Sequence, residues 1–150
     1  GDIDAVDPKL LRHLIAGDYV PVIAPFTVDA NHEILNTNAD TVAAAIAVAL
    51  AVEKLFFVVQ TPGLLSNPTD ASSLLPLVDL TKVEELENAG IIQGGMRPKI
   101  AAGRQALAGG VASVHIVSGI LSDAILAEVF TNEGSGTMFV ARQPPREAST

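Results

Sequence analysis

The sequence contains no cysteine and no tryptophan, and it has one tyrosine and five phenylalanines among 150 residues. Without cysteine there is no disulfide, no thiolate nucleophile and no cysteine-type zinc site. With so few aromatics, the 49% of hydrophobic residues is supplied mainly by Ala, Val, Leu and Ile, a mix suited to helices packed closely on a sheet. Basic residues are scarce too. Nine Lys and Arg against seventeen Asp and Glu give a formal charge of −8 and a pI near 4.6. A nucleic-acid backbone is gripped by clustered Lys and Arg, so no nucleic-acid partner is expected. The longest apolar run, residues 41–52, is bounded by Asp40 and Glu53 and falls far short of the ~20 residues of a membrane span. There is no signal-peptide pattern, so the expectation is a cytoplasmic protein with no membrane partner. His13, His32 and His115 lie far apart, in no spacing that suggests a metal site. The chain opens at Gly1 without an initiator methionine and is expected to be a processed or excised segment.

What is present reads as one domain, long enough to bury a core. Asp7-Pro8 before KLLRHLI gives an N-cap, a proline at the first helical position and an amphipathic helix closed by Gly17. Residues 19–26 (YVPVIAPF) form an apolar run broken by prolines, predicting a strand of edge character; residues 28–36 suit a short hairpin. Asn38-Ala39-Asp40 opens an alanine-rich helix over 41–52. The run 54–59 (KLFFVV) predicts a strand covered on both faces, and Thr61-Pro62-Gly63 is turn chemistry after it. Residues 66–76 read as a loop. Thr81-Lys82-Val83-Glu84 is a capping box opening a helix to about Ala89, with Gly90 beyond. A further helix runs from Gly94-Gly95 to Gly109-Gly110. Then come a buried strand at 113–117, a short helix at 122–130 and a last strand at 137–141. The stretch 142–150, with two prolines and scattered charge, predicts a disordered tail. Alternating helices and strands with short connections make the fold class α/β with a mainly parallel central sheet.

Ligands of such sheets sit beyond the carboxyl ends of strands, where loops feed helix N-termini. That rule selects residues 36–40, 60–65 and 94–99. In Gly94-Gly95-Met96-Arg97-Pro98-Lys99, glycines permit close ligand approach and a helix N-terminus favours an anion. Two cations in the first turn oppose the macrodipole unless an anion is bound there; the alternative is a glycine turn with two solvated cations. Asn36-Thr37-Asn38-Ala39-Asp40 is either simple helix capping or a cap with a second task, one amide holding a substrate and the carboxylate orienting a lysine. Gln60-Thr61-Pro62-Gly63-Leu64-Leu65 follows a strand, where a nucleotide lies in many α/β proteins, or is an ordinary turn. His115 reads as a satisfied core histidine, and Glu84, Glu85 and Glu87 as a solvated helix face. No Gly-x-Gly-x-x-Gly and no Gly-Lys-Ser/Thr loop is present, which disfavours Rossmann dehydrogenases and P-loop enzymes.

Taken in order, these segments resemble the acetylglutamate kinase branch of the amino-acid kinase family. The likeness rests on Gly1-Asp2-Ile3 with Val6-Asp7-Pro8, Val20-Pro21-Val22-Ile23-Ala24-Pro25, Asn36-Thr37-Asn38-Ala39-Asp40, Glu53-Lys54-Leu55 and Pro62-Gly63-Leu64. It continues through Gly94-Gly95-Met96 with Pro98-Lys99, Phe130-Thr131-Asn132-Glu133-Gly134 and Gly136-Thr137-Met138, to about Val140. Asn-x-Asn-Ala-Asp together with Gly-Gly-Met-x-x-Lys is the specific part.

The resemblance implies a three-layer αβα sandwich of carbamate kinase-like fold, with residues 1–141 as the C-terminal ATP-binding lobe only and 142–150 as the tail. It implies transfer of the ATP γ-phosphoryl group to the side-chain carboxylate of N-acetylglutamate, in arginine biosynthesis, with magnesium arriving on ATP. Lys99 would then stabilise the transferring phosphoryl group, Asp40 would orient the catalytic lysines and Asn36 would bind substrate. Gln60, Thr61, Pro62, Gly63, Leu64 and Leu65, with Ile91, Ile92 and Gln93, would line the nucleotide site. A carboxylate acceptor is already ionised at neutral pH, its pKa being about 4, so positioning and charge neutralisation suffice. The family's glycine-rich phosphate loop and second catalytic lysine belong to an N-terminal lobe absent from this sequence, so the isolated chain is expected to be inactive. Val59-Gln60 stands where the family has a hydroxyl residue and an aspartate, and Ser118-Gly119-Ile120 with Asp123 replaces Asp-Gly-Arg and a later His. Glu133-Gly134 with Gly136-Thr137-Met138 is similar to the feedback segment of arginine-sensitive members, implying an arginine effector and a homo-oligomer. Two competing readings are a non-catalytic nucleotide-binding or assembly module of the same fold, which Gln60 favours, and a sister kinase for another carboxylate such as aminoadipate.

Overall fold

The computed structural model describes residues 3–142, so the tail expected beyond Arg142 and the opening Gly1-Asp2 pair lie outside the described residues. The first helix, α1 (Lys9–Ala16), starts one residue later than expected: Pro8, read as its first residue, is the N-cap in place of Asp7, whose carboxylate accepts the Lys9 N–H at 3.0 Å. The strand expected over 19–26 does not form. Pro21 and Pro25 bring no N–H to a ladder, and only Phe26, the last residue of that run, enters a strand. Instead β1 (Phe26–Val28) and β2 (Ile34–Asn36) make the small antiparallel hairpin expected after it.

Helix α2 (Ala39–Leu50) is capped by Asn38, whose side-chain oxygen accepts the N–H groups of Asp40 and Thr41 at 2.8 and 3.3 Å. Strand β3 (Lys54–Val59) follows. The segment expected as a plain loop contains a 3-10 turn (Ala71–Ser73) and a short strand, β4 (Leu77–Asp79). Helix α3 (Leu80–Asn88) begins earlier than the capping-box reading predicts, because Asp79, not Thr81, is the cap; its carboxylate accepts the Lys82 N–H at 2.9 Å. Then come α4 (Met96–Ala108), β5 (Ser113–Ser118), α5 (Ala124–Phe130) and β6 (Thr137–Val140).

The main sheet has the order β3-β5-β6-β4. β3 pairs with β5 in parallel, Lys54 opposite Ser113 through Val59 opposite Ser118, and β4 pairs with β6 in parallel. The pairing of β5 with β6 is antiparallel, Ile116 facing Thr137. The sheet is therefore mixed and mostly parallel, as the α/β reading anticipates apart from its central reversal. β5 is buried along its whole length. β3, expected to be covered on both faces, has β5 as its one neighbour among the described residues, and Val58 on it is 53% exposed.

Short connections, residues 51–53 and 109–112, return α2 into β3 and α4 into β5. Since those strands are parallel, α2 and α4 lie side by side with the same polarity. Small residues make this close approach possible. Ala44, Ala47, Ala102 and Ala106 are all buried. A Cβ on Gly103 would stand 3.1 Å from the Phe139 ring, and one on Gly109 would collide with Val48. Phe139, beneath α4, is the largest of the fully buried side chains. Phe139→Ala should therefore cost about 3–5 kcal/mol, read as a lowered urea midpoint with an unchanged m-value.

Candidate active site

Asp40 occupies the first turn of α2 and Lys99 the first turn of α4. The parallel packing of the helices brings the two together. The Lys99 ammonium donates to both carboxylate oxygens of Asp40, each at 3.1 Å, across 59 residues of sequence. The pair is half-buried, with side-chain exposures of 22% for Lys99 and 16% for Asp40. Each group thus remains reachable at the surface.

The expectation of free N–H groups at the start of α4 needs correcting. Met96 and Arg97 donate theirs to the carbonyls of Gln93 and Gly94, at 3.1 and 3.3 Å, and Pro98 has none. What this helix end offers an anion is chiefly the Lys99 ammonium. Arg97, the other cation of the turn, donates from Nε to the Ile92 carbonyl at 3.3 Å; sequence reading assigned it no such partner. Gly94 adopts φ +53°, a conformation that favours glycine, and so aims the chain into the helix.

Because β3 and β5 finish in register at Val59 and Ser118, the segment 60–65 and the start of α4 lie at the same end of the sheet as Asp40. Asn36 is exposed at the end of the hairpin, just before the Asn38 cap. Gln60, Thr61 and Gln93 are exposed, and Pro62 and Ile91 are half-buried. Gly63, Leu64, Leu65 and Ile92 are buried. The side chains of Leu64, Leu65 and Ile92 thus face the core and hold their segments down; polar contact from these segments falls to Gln60, Thr61 and Gln93 and to backbone. Among the described residues no group of three His, Asp or Glu is placed to hold a metal, and no helix is long and apolar enough to cross a membrane.

The amino acid kinase family model matches residues 1–118. The chain belongs to the amino acid kinase family. Among its relatives, the acetylglutamate kinase of Myxococcus xanthus is 57% identical over 148 residues, covering 99% of this chain and 48% of that protein. The acetylglutamate kinase of Syntrophomonas wolfei is 43% identical over 140 residues, covering 93% and 49%. The chain thus spans about half the length of the relatives it matches. Among solved structures, N-acetylglutamate synthase from Neisseria gonorrhoeae complexed with coenzyme A and N-acetylglutamate superposes with a TM-score of 0.83 at 26% identity, over 95% of this chain and 32% of that one. Carbamate kinase from Giardia lamblia bound to AMP-PNP gives 0.68 at 21% identity, over 91% and 50%, a likeness of fold.

A second polar array lies in the interior of the chain. His115 is buried and stacked on Phe56; its Nε2 meets Ser113 Oγ at 2.9 Å and its Nδ1 meets Glu128 Oε1 at 2.7 Å. The connectivity is that of a nucleophile, base and carboxylate, but Ser113 is only 8% exposed and lies at the amino end of β5, away from the site just described. The array is structural, and His115 is the satisfied core histidine expected. Glu128 Oε2 accepts the N–H groups of Ser135 and Gly136 at 2.7 and 2.9 Å. Burial pushes the Glu128 pKa up more than any other single influence, yet the value lies below its ordinary 4.5. The His115 hydrogen bond, the two backbone donors and the charge His115 carries when protonated outweigh burial together. A depressed carboxyl stabilises the fold above about pH 4.5 and loses that contribution as the pH falls through its folded value. Glu128→Gln should therefore be less stable than the parent by about 1–3 kcal/mol near neutrality, with the gap narrowing below about pH 4.5 in urea titrations run across pH.

Proposed function

We propose that this chain is the C-terminal, nucleotide-binding lobe of a cytoplasmic acetylglutamate kinase of arginine biosynthesis. In this reading it transfers the γ-phosphoryl group of ATP to the side-chain carboxylate of N-acetylglutamate. The observation that carries the reading is the Lys99–Asp40 ion pair, a half-buried ammonium fixed on both carboxylate oxygens where two helix N-termini meet. The acceptor carboxylate attacks the γ-phosphorus, the bond to the bridging oxygen breaks, and ADP leaves with an acyl phosphate as the other product. The nucleophile is ionised at neutral pH, so no base is required. What the reaction needs is charge stabilisation on the transferring group. Lys99 supplies it, and Asp40 fixes the ammonium in place. Asn36, exposed before the helix cap, binds the acylamino-acid, while residues 60–65 and 91–93 receive the nucleotide.

Magnesium is delivered on the ATP phosphates. Asp40, the carboxylate of this site, has both oxygens engaged by Lys99, and a Mg²⁺ held by one or two carboxylates plus phosphates needs no all-protein cage. The rest of the active site comes from the lobe that accounts for the unmatched half of the relatives. A groove of about 970 Å³ lined by Ile3, Ile23, Phe26, Ile34 and Val42 is where that lobe packs. Val20 and Val22, in the segment leading to Ile23, are 88% and 97% exposed, as befits a surface that a further lobe covers. A homo-oligomer and an arginine effector belong to the same proposal through the segment 133–138.

A non-catalytic module of the same fold has one observation in its favour, Gln60 in place of the family aspartate. Calorimetry with ATP identifies a purely structural assembly module, which gives no heat, whereas a nucleotide-binding module gives heat but no acyl phosphate from the intact protein. In the intact protein carrying this chain, with acyl phosphate trapped as the hydroxamate, Lys99→Ala should lower kcat by about 10²–10³-fold while leaving the unfolding temperature within a few degrees. Undiminished turnover in that variant removes Lys99 from the chemistry.

A further inference from the structure

We infer that Thr137 is a positioning residue for nucleotide binding, acting through the turn 60–65. The inference rests on the reading of that turn as part of the nucleotide site. The antiparallel placement of β6 starts it at the end of the sheet where β3 and β5 finish. The chain leaving β3 passes over the end of β5 and comes down on the first residue of β6. There the Leu64 N–H donates to Thr137 Oγ1 at 2.8 Å, in a fully buried contact between residues 73 apart in sequence. The Leu64 carbonyl accepts from Leu75 N at 2.9 Å, so both backbone groups of Leu64 are fixed. The turn also lies flat on Thr137: a Cβ added at Gly63 would stand 2.7 Å from Thr137 Oγ1 and 2.8 Å from Leu74 Cδ1. Only a residue without a side chain approaches so closely.

Thr137 is itself held from behind. Ser135 and Gly136 donate to Glu128, and a Cβ at Gly136 would run into the Ile116 carbonyl. The register that sets Thr137 opposite Ile116 is therefore tightly fixed. Within the turn, Thr61 Oγ1 donates to the Gly63 carbonyl at 3.0 Å, so the shape of the exposed Gln60–Thr61 end follows from where Gly63 and Leu64 are pinned. A buried donor that loses its one acceptor seeks another, and the turn is free to move only outward, into the space where a nucleotide lies.

The test uses the intact protein that contains this chain, with ATP and N-acetylglutamate as variable substrates. Thr137→Val keeps the volume and removes the acceptor; KM for ATP should rise about tenfold, the scale of one lost buried hydrogen bond, with KM for N-acetylglutamate within about twofold. Thr137→Ser, which retains the hydroxyl, should restore the parental KM for ATP. Gly63→Ala pushes the turn from the other side and should reproduce the selective loss; where the valine variant is too unstable to assay, Thr137→Ala, which also removes the acceptor, takes its place. Weakened ATP binding in Gly63→Ala with none in a folded Thr137→Val overturns the role of Thr137 and leaves the nucleotide turn standing. Unchanged ATP binding in both overturns the turn's assignment and this inference with it.

Discussion

Two helices of like polarity, α2 and α4, bring their positive ends together, and the arrangement of the site follows from how that is accommodated. Parallel macrodipoles repel at their ends, and Lys99 adds a full positive charge there. Asp40, one residue into α2, answers both with a carboxylate that takes the ammonium on two oxygens. A pair that still meets solvent contributes modestly to stability, since screening and side-chain ordering offset much of its Coulomb energy. Its consequence is positional: an ammonium is held at a defined point at the end of the sheet. The helices settle closely on each other and on the sheet because small residues line their buried sides: Ala44 and Ala47 on α2, Ala102, Gly103 and Ala106 on α4. The stripe of small residues in the sequence and the placement of the charges are thus parts of one arrangement.

A second layer of constraint runs through the reversed strand. Had β6 been parallel to β5, its first residue would lie at the far end of the sheet, and nothing from it would touch the turn after β3. Because it is antiparallel, the segment 134–137 reaches the site end. There it is anchored by the buried Glu128–His115 pair and supports Gly63 and Leu64 from below. The interior histidine and carboxylate, which have no cleft of their own, thereby belong to the scaffold beneath the turn 60–65.

Most of the elements were legible because local chemistry specified them. Asn38 caps α2, the alternation of KLFFVV and SVHIV with helices indicated the parallel pair, and glycines marked the ends of α3 and α4. The Lys99–Asp40 contact was anticipated through the family resemblance. Periodicity alone gives no distance between residues 59 apart. The strand expected over 19–26 failed because apolar composition was weighed above the missing N–H groups of Pro21 and Pro25. β4 is three residues long and carries too little pattern to be legible, and Asp79 caps α3 although Thr81 and Glu84 present the more familiar capping box. Thr137 and Glu128 were invisible as supporting residues, since strand direction is not written in a four-residue run. The pair of glycines at 134 and 136, just before a hydroxyl residue at a strand start, was the signal available.

The strand order ends at β3, whose outer side has no neighbour among the described residues. A β-strand in that position presents unpaired backbone donors and acceptors to whatever comes near, here beside aliphatic side chains such as Val58. Continuation of the sheet by another strand would satisfy these groups and cover those side chains in one step. Handled alone and at high concentration, the chain should meet the same need by pairing edge to edge with its own copies, so its solution behaviour will depend strongly on what is allowed to complete the sheet.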